Sequence, residues 1–180
     1  SMKIRTCIIL ALAVIVLALP TGNMKAQEKS GLNYGHVISA NPIGLALGIF
    51  NATYEHRLSK TNTLTVSGYY YSYASSWAAY GVGGSYRWYL NVFEDGKKPI
   101  EGLSVGPAAV ISFWSYDWDG YGNSPYDGGT SIAIGGEAAY KWIFGSFSVE
   151  PIFQLLIGLV DISGLSYQSW GLGVNLGYAW

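Results

Sequence analysis

The chain has 180 residues; half are hydrophobic, only 12% are charged, and the formal net charge is −1. Its 24 glycines and 15 tyrosines favour strands and turns over helices. The charge balance gives no support for nucleic-acid binding, and the single cysteine, Cys7, excludes a disulfide within the chain.

The first segment is typical of a secretory signal peptide. A thirteen-residue apolar run, Cys7–Leu19, follows two basic residues and precedes a small polar stretch. The run is too short to be a good membrane span. We expect a signal peptide over residues 1–26, cleaved after Ala26, and a β-barrel domain over residues 27–180. Cleavage removes three of the ten basic residues and no acidic one, so the net charge becomes −4 (7 − 11).

The remaining sequence divides into eight segments in which apolar side chains recur at every second position, the period of a β-strand. Clusters of Gly, Asn, Asp, Ser and Pro separate the segments. The predicted strands are Leu32–Ala40, Leu45–Leu58, Thr63–Tyr73, Trp77–Leu90, Leu103–Tyr116, Ser131–Ile143, Phe147–Ile157 and Ser166–Trp180. These segments predict an all-β, eight-stranded antiparallel up-and-down transmembrane β-barrel.

Two irregularities are predicted near the start. A short turn is expected at Asn41-Pro42, because proline cannot donate a hydrogen bond to a strand ladder. The apolar parity changes at Ile49-Phe50, which predicts a β-bulge. Further along, Pro151 argues against a helix in the apolar run of the seventh segment.

Alternation turns five charged side chains toward the barrel interior, all in the same half of the lumen. They are Glu55, Arg87, Glu137, Lys141 and Glu150. An eight-stranded barrel is only wide enough for its side chains to fill, and each unpaired buried charge would cost several kcal/mol. We therefore expect a structural ion network that plugs the lumen, with a proton or ion path as the alternative.

The other half of the lumen is predicted to be aromatic. Its inward side chains are Tyr69, Tyr71, Tyr73, Trp114 and Tyr116. They either fill the lumen or form a pocket, open to the exterior, for a sugar or a small amphiphile. The longest predicted loop, residues 117–129, lies beside them and carries three aspartates and three aromatic residues.

The last segment alternates aromatic and aliphatic residues, from Trp170 to Trp180, with glycine, asparagine and alanine. One face is therefore apolar throughout, and we interpret it as facing lipid. A soluble, lipocalin-like barrel with its apolar residues inside is the alternative fold. A closed barrel leaves no exposed strand edge, and an even strand number puts both ends of the barrel domain on one side of the membrane.

Catalytic, metal and cofactor sites are not expected. An acyl-transfer site needs a nucleophile, a base and an orienting group within hydrogen-bond reach. The chain has two histidines: His56 is predicted to face outward at the periplasmic rim, and Ser39, three residues after His36, has no spacing that compels a pair with it. No His or carboxylate group has the spacing of metal ligands.

The signal segment, the eight alternating segments and the final Tyr178 and Trp180 together resemble small outer-membrane barrels of the OmpA/OmpX type. That resemblance implies the outer membrane of a Gram-negative bacterium, contact with its lipid, and a role for Tyr178 and Trp180 as the signal read by the barrel insertion machinery. Three further motifs look like an uncharacterised barrel family of the Bacteroidetes type, which implies no assigned reaction: Asn41-Pro-Ile-Gly44, Phe50-Asn-Ala-Thr-Tyr-Glu55 and Tyr86-Arg-Trp-Tyr89.

The expected function is therefore a non-enzymatic structural or surface-interaction role through extracellular loops, whose partner is an extracellular ligand or glycan. Two alternatives remain open. One is a small-ligand-binding barrel or narrow pore, and the other is an enzyme that modifies outer-membrane lipid.

Overall fold

A computed structural model describes residues 34–73, 77–90, 99–116, 128–160 and 168–180. Within these residues, eight antiparallel strands close into one barrel in sequence order, and β1 pairs with both β2 and β8. The strands are β1 (His36–Ala40), β2 (Ile49–Arg57), β3 (Asn62–Tyr73), β4 (Trp77–Tyr89), β5 (Gly102–Tyr116), β6 (Gly128–Phe144), β7 (Phe147–Val160) and β8 (Gln168–Ala179). The predicted fold class is confirmed.

The predicted turn and bulge near the start are wrong. A short helix, α1 (Pro42–Ala46), lies between β1 and β2, and the β2–β3 register is unbroken through Ile49. Asn41 caps the helix, because its side-chain oxygen accepts hydrogen bonds from the backbone N–H groups of the second and third residues beyond it. Pro42 occupies the first turn, where no N–H is needed, and Gly48, with φ +83°, leads the chain into β2.

Helix α1 also explains why β1 is short. The β1–β8 pairing stops at Ala40 opposite Leu176, although β8 continues back to Gln168. The β1–β2 pairing stops at Ala40 opposite Ala52. Helix α1 contacts β2 and β8, the two strands on either side of β1, so it lies between them beyond the end of β1. No helix in the described ranges is long and apolar enough to cross a membrane.

The polarity of the barrel is the reverse of a soluble protein's. All eight strands carry large apolar side chains on the outer wall, and Trp170 and Leu172 are the most exposed, at 69% and 74%. Arg87 and Lys141, by contrast, point inward and are 2% exposed. Exposed apolar bands of this extent face lipid. The lipocalin-like alternative is therefore wrong, because it requires the apolar residues inside.

Prolines interrupt two strand ladders next to the inward cations. The β4–β5 pairing skips Tyr86 and Arg87, which lie opposite Gly106 and Pro107. The β6–β7 pairing likewise skips Tyr140 and Lys141, which lie opposite Glu150 and Pro151. A proline has no N–H for the ladder, and at Gly106 an added Cβ would lie 1.7 Å from the Tyr86 carbonyl oxygen. The backbones of β4 and β5 therefore approach closely at Gly106, next to Arg87.

Candidate functional site

Five charged side chains meet inside the barrel, in the half nearer the end where β1 begins and β8 ends. We call that end the terminal end and the opposite one the loop end. The five residues, which we call the ion cluster, are Glu55, Arg87, Glu137, Lys141 and Glu150, and each is less than a tenth exposed. They project from β2, β4, β6 and β7, at the inward positions that alternation assigns to them.

Arg87 lies at the centre of the ion cluster. Its Nη1 lies 3.3 Å from a Glu55 oxygen and 3.1 Å from a Glu150 oxygen, and its Nε donates to Glu137. Lys141 Nζ lies 2.8 Å from Glu150 and donates a further bond to Glu55. Two cations are thus shared among three carboxylates, and the formal charge of the ion cluster is −1 (2 − 3).

Neutral donors bind the carboxylate oxygens as well. They are Thr63 and Tyr89 for Glu55, Ser85 and Gln154 for Glu137, and Asn175 for Glu150, at 2.5–3.2 Å. In the described part of the chain, every buried side-chain nitrogen and oxygen has a hydrogen-bond partner. Fully satisfied buried networks make an interior rigid and specific. The arrangement is therefore that of a fixed internal plug.

Apolar layers lie on both sides of the ion cluster. The layer at the terminal end consists of Tyr34, Val37, Tyr89, Ile100, Ile143 and Ala179, all at most 3% exposed. The layer toward the loop end consists of Ala108, Ala133 and Leu156, with Val110 packed against them. Two members of the terminal-end layer, Tyr34 and Tyr89, carry hydroxyl groups, and that of Tyr89 is bonded to Glu55. The other side chains of both layers offer no hydrogen bonds to water or ions.

A small polar cavity lies beside the ion cluster. Thr65, Ser67, Arg87, Glu137 and Gln154 are among the residues that line it, and its volume is about 30 Å³. About 10–15 Å³ of such space is enough to hold one water molecule. The cavity has room for a bound water and is far smaller than the several hundred Å³ of ordinary ligand pockets.

Two of the aromatic residues predicted at the loop end form hydrogen bonds to serines of other strands. Tyr69 donates a hydrogen bond to Ser112 at 2.6 Å, and Trp114 donates one to Ser131 at 3.2 Å. The Tyr69 ring lies over Gly81, where an added Cβ would be 2.4 Å from a ring carbon. Glycine is therefore needed on β4 for the tyrosine to reach β5.

The other members of the predicted aromatic pocket are Tyr71, Tyr73 and Tyr116. Tyr71 is half-buried, whereas the side chains of Tyr73 and Tyr116 lie outside the described residues. The same holds for residues 117–127, which make up most of the predicted long loop. An aromatic ligand pocket at the loop end therefore stays a prediction.

The two histidines form an unexpected contact at the terminal end of the outer wall. His36 and His56 are cross-strand partners, their ring centroids are 4.9 Å apart, and their Nδ1 atoms are 3.3 Å apart. His36 Nδ1 also lies 2.7 Å from the Tyr54 hydroxyl. We call these two residues the histidine pair. The spacing of the two histidines along the chain does not predict their contact, because the contact arises from the β1–β2 register.

The two aromatic residues predicted as an insertion signal lie next to the histidine pair. Tyr178 and Trp180 are 46% and 49% exposed, and their rings stack 6.1 Å apart. Trp180 also stacks on His36 at 5.4 Å. The terminal end of the outer wall therefore carries a continuous aromatic and imidazole surface.

Comparison with known families identifies the chain. A family model described as "Protein of unknown function (DUF3575)" matches residues 12–170. The chain belongs to this family. No curated protein matches it.

Several solved structures are similar to this family member. The N-terminal β-barrel domain of Pseudomonas aeruginosa OprF is 13% identical over 82% of this chain and 98% of that chain, with a TM-score of 0.49. The Yersinia pestis outer-membrane protein Ail in a phospholipid bilayer nanodisc gives the same identity and TM-score over 82% and 100% of the two chains. The crystal structure of Ail, the attachment invasion locus protein, gives 14%, 81% and 95%, and a TM-score of 0.41.

The barrel's own polarity establishes where this family member resides. Closed single-chain barrels with an even number of strands, an apolar outer band and a polar interior are the architecture of the bacterial outer membrane. The eight strands with their apolar outer wall and charged lumen have each of these properties. The protein is a transmembrane barrel of the Gram-negative outer membrane, and its outer wall contacts membrane lipid.

Proposed function

We propose that the protein is a non-enzymatic outer-membrane barrel with a structural or surface-interaction role, exerted through its extracellular loops. The observation that carries this proposal is the ion cluster held between two apolar layers. A lumen filled in this way favours a structural or surface-interaction role over a narrow pore or an enzyme with its site in the lumen. The fold itself hosts many functions and does not decide among them.

We assign the terminal end to the periplasm and the loop end to the exterior. Outer-membrane barrels have short periplasmic turns and longer extracellular loops. The β2–β3 and β6–β7 connections at the terminal end span residues 58–61 and 145–146, whereas the β5–β6 connection at the loop end spans residues 117–127. The β4–β5 connection, residues 90–101, is the exception at the terminal end.

In this proposal the signal peptide, residues 1–26, directs export. Its cleavage leaves residues 27–180 as the barrel. Tyr178 and Trp180 then serve as the signal for the barrel insertion machinery. Their exposed, stacked rings support an interaction with a partner surface. An extracellular ligand or glycan is the proposed partner at the loop end.

The geometry gives less support to a lipid-modifying enzyme. His36 points to the outer wall, whereas Ser39, three residues on, belongs to the opposite face of the strand, because faces alternate along β1. A nucleophile and its base must lie within hydrogen-bond reach of each other. The substitutions His36→Ala and His56→Ala are expected to leave outer-membrane lipid composition unchanged, as measured by mass spectrometry.

Conductance across a planar bilayer tests the plugged lumen. We expect the purified barrel to give no steady conductance above that of the bare bilayer, because the ion cluster and its apolar layers fill the pore. Folding is checked by the faster gel mobility of unheated, folded barrels. Regular single-channel steps from protein that is folded by this criterion would overturn the structural assignment in favour of a narrow pore.

A loop deletion tests the surface-interaction role. Removal of residues 118–126 is expected to leave folding unchanged and to abolish binding to a glycan array, because the loop carries the aromatic residues that stack on sugars. Undiminished binding by the deletion variant would exclude the loop as the binding element. No binding by the intact protein would exclude glycans and leave the structural role.

A further inference from the structure

The only two histidines in the chain face each other across one strand pair. The backbone N–H and C=O of His36 are both bonded to Trp180, at 3.1 and 3.0 Å, so they point toward β8. On its β2 side, His36 therefore forms the non-hydrogen-bonded type of cross-strand pair with His56. Side chains approach most closely in pairs of that type.

The resulting spacing suits a tetrahedral metal ion. The two Nδ1 atoms are 3.3 Å apart. Two imidazole nitrogens at Zn–N distances of about 2.0–2.1 Å on a tetrahedral ion lie about 3.3–3.4 Å apart. The rings are stacked, with their planes inclined at 28°, so the nitrogen lone pairs converge on one ion only when the imidazoles rotate about their side-chain bonds.

A third oxygen donor lies beside the histidine pair. The Tyr54 hydroxyl is 2.7 Å from His36 Nδ1, and Tyr54 projects from the same face of β2 as His56. Zn²⁺ accepts imidazole nitrogen and oxygen ligands together. His56 is exposed and lies two residues before the β2–β3 turn at residues 58–61, at the terminal end of the wall, where we expect water beside it.

We propose that His36 and His56 form a binding site for Zn²⁺ on the outer wall, with the Tyr54 hydroxyl as a neighbouring oxygen donor and water at the remaining positions. Neutral imidazole is the ligand form. Two imidazoles with water make a site that exchanges its ion, unlike structural zinc sites with four protein ligands. The ion joins β1 to β2 next to the β1–β8 contact that closes the barrel.

Zinc titration of the intact, tag-free protein in bilayer nanodiscs tests the site, because a histidine tag would bind the ion itself. We expect one Zn²⁺ per barrel by calorimetry and a shift of both ring Nδ1 resonances by ¹⁵N NMR. His36→Gln and His56→Gln are each expected to weaken binding at least tenfold. Tyr70→Phe, on the same outer wall, is the matched control and keeps the wild-type affinity.

Two results would overturn the proposal. One is an absence of saturable Zn²⁺ binding by the folded wild-type barrel. The other is equal binding by the His36→Gln/His56→Gln double variant, which would locate the ion elsewhere. A second measurement tests whether the ion stabilises the closed barrel. Zn²⁺ is expected to raise the urea midpoint of unfolding for the wild type, because an ion bound to the folded state stabilises it. The midpoint of the double variant is expected to stay unchanged.

Discussion

Glu55 and His56 are neighbours on β2, yet they belong to two very different polar groups. Glu55 points inward and is 2% exposed within the ion cluster, whereas His56 points outward and is exposed within the histidine pair. In the ion cluster, a lost partner leaves a buried charge that water cannot solvate. In the histidine pair, water can replace each contact. Burial therefore makes the first group a fixed part of the fold and leaves the second free to exchange partners.

The largest effect on stability is expected from Arg87→Met, a substitution within the buried ion cluster. It removes the one residue that contacts all three carboxylates, so Glu55 and Glu150 keep Lys141 as their cation partner and Glu137 loses its contact with a cation. Loss of one partner from a buried ion pair costs about 3–5 kcal/mol. We expect a decrease of that size in the free energy of unfolding, measured by urea titration in lipid vesicles.

Two further variants make that measurement decisive. Lys60→Met removes a cation from an exposed turn and is expected to change stability by less than about 0.5 kcal/mol. Arg87→Lys retains the charge but loses the planar fork that reaches several carboxylates, so an intermediate loss is expected. Equal stability of Arg87→Met and Lys60→Met would contradict a structural role for the ion cluster.

The composition of the ion cluster follows from alternation, which the sequence displays. Arg87 lies between the outward-facing Tyr86 and Trp88, so its inward direction depends only on the period of a strand. The same parity applies to Tyr89 and Ile143, which close the lumen below the charges. That layer was not predicted, because only charged and loop-end aromatic side chains were expected to face inward.

The histidine pair depends on strand register, which alternation does not provide. A shift of one residue between β1 and β2 would move His56 away from His36. The connection between β1 and β2 fixes this register; a turn was predicted at Asn41-Pro42, and the structure has helix α1 there. Asn41 followed by Pro42 is also a helix start, with a capping side chain and a proline in the first turn. That signal was present but was outweighed by the strand pattern on either side.

A second pair of variants sharpens the comparison inside the ion cluster. Glu150 contacts both cations, whereas the cation contact of Glu137 is with Arg87. Glu150→Gln therefore weakens two charge-assisted hydrogen bonds, and we expect a loss of about 2–3 kcal/mol. Either substitution removes the excess negative charge, but Glu137→Gln weakens only one such bond, so a change below about 1 kcal/mol is expected.

The measurement is again the free energy of unfolding in urea. Both substitutions preserve side-chain shape, so each serves as the packing control for the other. A greater loss for Glu137→Gln than for Glu150→Gln would show that the number of cation contacts does not set the contribution of each carboxylate.

The smallest effect is expected on the exposed side, from Tyr54→Phe in the absence of metal. The substitution keeps the ring on the outer wall and removes the hydroxyl that lies 2.7 Å from His36 Nδ1. An exposed hydrogen bond contributes little, because water replaces it, so we expect a loss of at most about 0.5 kcal/mol. Tyr70→Phe is the matched control, since Tyr70 is also outward-facing and is 49% exposed, against 40% for Tyr54. A loss for Tyr54→Phe as large as that for Glu150→Gln would mean that the histidine pair is a structural element of the barrel, equivalent to the ion cluster on the other side of the wall.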